Sequence, residues 1–166
     1  MPSQYKKNSG FTLVELLLYI FVASGILLSL VALVALLIQS RVKNQTVSMV
    51  EQQGAQIIQL ISQEINNAKT ITAPTIGNAS NVLQFQDINN QAEQISLVSS
   101  TLYLNKNNKS YFLNPTTIQA ANLQIKNLGV AAHDSIKIQF DLNYNNLSGL
   151  NQYSYTQTFY ATANIR

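Results

Sequence analysis

The sequence predicts an α+β fold, with a long N-terminal helix, apolar in its first half and amphipathic in its second, packed on a C-terminal antiparallel β-sheet. Three features carry this reading. Leu16 to Ile38 is a run of 23 residues without a charge. Val47, Val50, Ile57, Ile58, Ile61, Ile65 and Ala68 then recur at mostly helical spacings, with Glu51, Gln52, Gln56, Gln59 and Gln63 between them. From about Thr70 the texture changes to short β-branched and aromatic segments punctuated by Asn, Gly and Ser.

Taken in order, residues 1–10 form a short leader carrying Lys6 and Lys7, and residues 11–38 form the apolar helix. At 1.5 Å per residue its uncharged part covers about 35 Å, enough to cross a hydrocarbon core of roughly 30 Å. The run is too long for a cleavable secretory signal and ends in Gln39-Ser40-Arg41 without a small-residue cleavage site. Lys6 and Lys7 before it are balanced by Arg41 and Lys43 after it, so charge leaves orientation nearly tied. The bulk and the lysine-poor, amide-rich surface follow the helix, which places the N-terminus inside and the remainder outside.

Residues 39–69 continue the helix amphipathically, to be stopped by Asn66-Asn67 and Pro74. In residues 70–166 the expected strands are 82–86, 94–99, 101–105, 110–113, 118–127, 135–144 and 152–164. Their alternation, as in Ile136, Ile138, Phe140 and Leu142, suits one face on the helix and one in water.

Composition narrows the function. With 166 residues the chain is one or at most two domains. Only 10% of residues are charged, less than half the roughly 25% of ordinary soluble domains. Asn (19) and Gln (17) supply hydration instead. Of the formal +3, Lys6 and Lys7 contribute two charges, which leaves no large basic patch for nucleic acid. The absence of cysteine excludes thiolate catalysis, disulfides and cysteine-ligated metal.

Glu15 is the anomaly. A carboxylate at the centre of a membrane helix costs about 2.5–3.5 kcal/mol, and such groups are functional by default. Near the interface it reaches water cheaply, so the residues before it decide its meaning. The string Lys6-Lys7-Asn8-Ser9-Gly10-Phe11-Thr12-Leu13-Val14-Glu15-Leu16-Leu17 resembles the leader and processing site of type IV prepilins and pseudopilins. The resemblance covers residues 6 to about 38 and implies an extracytoplasmic filament subunit. It further implies that a prepilin peptidase cleaves after Gly10 and methylates the new N-terminus at Phe11. Glu15 would then be the carboxylate that aids incorporation among other pilin or pseudopilin subunits on an assembly platform, within membrane lipid. Many major pilins carry a mid-helix proline, whereas no proline lies between Pro2 and Pro74 here, so a minor subunit is expected.

No other motif competes. His133 is the single histidine, followed by Asp134 in a turn, and Asp87, Glu93, Asp134 and Asp141 lack ligand spacing. Neither catalytic residues nor a metal or cofactor is expected. Tyr144, Tyr153, Tyr155, Phe159 and Tyr160 read as sheet furniture before they read as an adhesive surface. The alternative is a signal-anchored extracytoplasmic binding or adhesion protein, which would leave Gly10, Phe11 and Glu15 as coincidences.

Overall fold

The described residues of this computed structural model, 11–130 and 134–165, form one α-helix and nine strands. The helix is α1 (Leu13–Asn66) and the strands run β1 (Ala68–Ala73), β2 (Ala79–Ser80), β3 (Val82–Asp87), β4 (Ala92–Val98), β5 (Thr101–Lys106), β6 (Lys109–Phe112), β7 (Ile118–Asn127), β8 (Ser135–Tyr144) and β9 (Thr156–Asn164). A single 3-10 turn, Asn151–Tyr153, replaces the first part of the strand expected over 152–164. Ala68, expected to be the last apolar residue of the helix, instead opens β1 and is buried there.

The chain divides into two compact units between Arg41 and Val42. In the first, every described residue is exposed, and the helix is long and apolar enough to cross a membrane. The two serines within the uncharged run, Ser24 and Ser29, do not break that surface. Ser24 Oγ donates to Ile20 O at 2.6 Å and Ser29 Oγ to Ile26 O at 2.7 Å, so each hydroxyl is satisfied within the helix.

In the second unit α1 buries Thr46, Val50, Gly54, Ile57, Ile61 and Ile65, spaced by three and four along one face. Val47 and Ile58, expected on that face, flank it half-buried. The α+β expectation holds, but two antiparallel sheets replace the single expected one. The first has the order β1-β3-β4-β5-β6 and the second β2-β7-β8-β9. Both contribute to one core with the helix: Leu83, Phe85, Ile95, Leu102 and Leu104 come from the first sheet, and Ile125, Ile136, Ile138, Phe140 and Leu142 from the second.

Two buried asparagines join the sheets where the backbone would otherwise be unpaired. Asn114 Oδ1 accepts from Leu102 N at 2.7 Å while its Nδ2 donates to Ile118 O at 2.6 Å. Asn127 Nδ2 donates to Pro74 O at 3.2 Å and to Asp134 Oδ1 at 2.9 Å, and its Oδ1 accepts from Gly129 N at 2.9 Å. A bulge in β7 adds one residue between Ala121 and Gln124, with Asn122 in the left-handed region at φ 53°. Inward positions therefore switch from Ile118 and Ala120 to Leu123, Ile125 and Asn127.

Candidate functional site

Of the residues expected to carry function, Phe11 and Glu15 are described, whereas Gly10, the leader lysines and His133 lie outside the described residues. Phe11 is exposed, its ring 5.6 Å from that of Tyr19 and tilted by 45°. Glu15 is exposed in the first turn of α1.

The backbone there is organised by Thr12, a residue that the sequence reading gave no role. Thr12 Oγ1 accepts from Glu15 N at 3.3 Å, and Thr12 O accepts from Leu16 N at 3.1 Å. Thr12 is thus the N-cap and Glu15 the third helical residue, the Thr-x-x-Glu spacing of a capping box. That spacing was present in the sequence and could have found Thr12. It also gives Glu15 a local role, because a carboxylate in the first turn faces the positive end of the helix dipole.

A second polar cluster lies at the other end of α1. A cleft of about 790 Å³ is lined by Glu64, Lys69, Asp87, Glu93 and Lys106 among other residues. Two strands explain how charge reaches it. On β4, Glu93 shares the inward parity of Ile95; on β5, Lys106 shares that of Leu102 and Leu104. Lys106 Nζ lies 2.8 Å from Glu64 Oε2 and 3.2 Å from Glu93 Oε1. Burial pushes the Glu93 carboxyl above its usual range, opposed by Lys106. The hydrogen bond to Glu64 pushes Lys106 upward.

Asp87 behaves oppositely to Glu93. Its Oδ1 accepts from Asn89 N and Gln91 N, both at 2.8 Å, and the bond from Gln91 is the main reason that its carboxyl sits below the usual range. So the fold brings Asp87 and Glu93 to one cleft, but Asp134 and Asp141 bond elsewhere, to Asn127 and Asn122. Among the described residues no group of three His, Cys, Asp or Glu side chains is placed to hold a metal ion.

The aromatic residues do not form one surface. Tyr144 and Tyr153 stack at 5.9 Å, while Phe159 stacks on Phe140 at 5.6 Å. The Tyr155 hydroxyl donates to Glu51 Oε1 at 3.4 Å, and burial, aided by that carboxylate, pushes its phenol upward. Tyr160 alone among these five is largely exposed. Comparison with known protein families, curated proteins and solved structures returns no match for this chain.

Proposed function

We propose that this chain is a non-enzymatic, minor structural subunit of a type IV pilus or of a type II secretion or competence pseudopilus. The observation that carries the reading is the placement of Glu15. It is the only charged residue in the exposed helical stretch up to Ile38, and it lies four residues after Phe11, behind Gly10 and a basic leader. A helix whose apolar side chains all point outward needs lipid or neighbouring helices to cover them. A membrane before assembly and other subunits afterwards would supply both.

In this reading a prepilin peptidase cuts after Gly10, where the absence of a side chain leaves the peptide bond accessible, and methylates Phe11. The helix spans the inner membrane with its N-terminus inside, and the β-rich part lies outside. Cleavage creates an α-amine about one turn from Glu15. Paired with the carboxylate of the same or an adjoining subunit, that amine offsets part of the cost of holding a charge in a low-dielectric surrounding. The absence of proline from α1 favours a minor subunit, since the helix has no built-in point at which to melt.

Mass spectrometry of the chain from cells with an active prepilin peptidase tests this. The expected product begins at a methylated Phe11. An intact leader on the membrane-inserted protein would overturn the reading in favour of a signal-anchored binding protein.

A further inference from the structure

The inward face of the first sheet ends in charge. Glu93 has a fully buried side chain, and neither of its oxygens has a hydrogen-bond partner. Its close countercharge is the Lys106 ammonium at 3.2 Å, which is aligned instead to donate to Glu64 Oε2 at 2.8 Å. One cation thus serves two carboxylates, one on the last turns of α1 and the other on β4. Glu93 and Lys106 sit one step beyond the last β4–β5 pair, Gln94 with Asn105, so the strand ladder fixes them opposite each other.

We propose that Glu64, Lys106 and Glu93 form a proton-controlled latch between the C-terminal turns of α1 and the first sheet, closed while Glu93 is protonated and loosened when it ionises. A neutral Glu93 carries little desolvation cost and leaves Lys106 to Glu64. An ionised Glu93 must be buried without hydrogen bonds and competes for the same ammonium, and opening the end of α1 to water relieves both penalties.

The charged groups facing the triad are Lys69 from β1 and Asp87 from β3. Lys69 Nζ donates to Asn90 Oδ1 at 2.7 Å. Asp87 is held ionised by its backbone donors, and its charge, like that of Glu64, raises Glu93 further. Burial therefore makes Glu93 change charge above the ordinary carboxyl value of 4.5. The closed state holds a proton that the open state has lost, so opening becomes easier as pH rises from that value through the raised one. One linked proton limits the effect to about tenfold per pH unit.

The test is amide hydrogen exchange of Ile61 to Asn66 in the full chain in detergent micelles, corrected for intrinsic exchange, between about pH 4.5 and 8. The opening equilibrium of these amides should rise toward about tenfold per pH unit and then level off. Glu93→Gln should abolish the rise. Lys106→Met, which removes the countercharge, should carry it to higher pH. Isotope-edited NMR titration of the carboxyl carbons needs no variant and should find Glu93 ionising above 4.5. Ionisation of Glu93 at or below that value, a pH-independent opening in the wild type, or the same slope in Glu93→Gln would each overturn the proposal.

Discussion

Gly54 and Phe159 are in direct contact, and the ring occupies the space that a β-carbon on Gly54 would need. The same ring stacks on Phe140, so it cannot withdraw without disturbing the second sheet. Gly54→Ala should therefore destabilise the protein even though Ala is the better helix former. Overpacking costs about 1–3 kcal/mol, while the helix gain returns about 0.8–1.0 kcal/mol. Denaturant unfolding of the full chain in detergent should give a net loss. A gain in stability would mean that Phe159 moves aside freely.

Asn114 should matter more than any exposed amide in this amide-rich chain. Asn114→Ala leaves Leu102 N and Ile118 O, on β5 and β7, without partners at a buried joint. Each unsatisfied buried group costs about 1–3 kcal/mol, so a total loss of about 2–6 kcal/mol is expected. Gln56→Ala, on the exposed side of α1, is the control and should change stability by less than about 0.5 kcal/mol. Equal effects at the two positions would refute the joint.

Asp87 should give the protein an acid limb. Its folded carboxyl sits below the ordinary value of 3.8, so its contribution is present above that value and is lost as pH falls through the folded one. Asp87→Asn should lower stability at neutral pH and flatten the limb below about pH 4. A wild-type unfolding midpoint that stays constant from neutral pH to below that limit would contradict the assignment.

Glu15→Ala should leave an expressed and folded protein that is slow or unable to assemble, with Glu15→Asp intermediate because of its shorter reach. Thr12→Val separates the two roles of this helix end, removing a cap worth about 0.5–2 kcal/mol while keeping the carboxylate. Sheared-filament yield is the measurement. If Thr12→Val impairs assembly as severely as Glu15→Ala, capping and not the charge explains Glu15.

Much of the fold was legible because its signals are local. A 23-residue uncharged run can only be a long helix, and the spacing of Val50, Ile57, Ile61 and Ile65 named the face that α1 buries. The limits of β7 and β8 follow from alternation bounded by turn residues, and those strands lie where they were expected. β1 was missed, since Asn66-Asn67 and Pro74 surround it with breakers and its four-residue centre, Lys69 to Thr72, carries one large apolar side chain.

The sequence by itself determined the α+β class, the amphipathic face of α1, most strands and the Gly10-Phe11-Glu15 constellation, all of which depend on near neighbours along the chain. Tertiary structure decided what those neighbours cannot specify. Alternation says which side of a strand is inward but not which strand pairs with it, so the division into two sheets was decided only by the pairings themselves. Likewise Gly54 reads locally as a weak point in a helix, and only the ring of Phe159, more than a hundred residues away, gives it a packing role. The burial of Glu93 likewise depends on Glu64 at the end of α1 and Lys106 on β5 converging on it from two other segments. Pairing, close approach and desolvation are properties of groups brought together across the chain, and the fold alone brings them together.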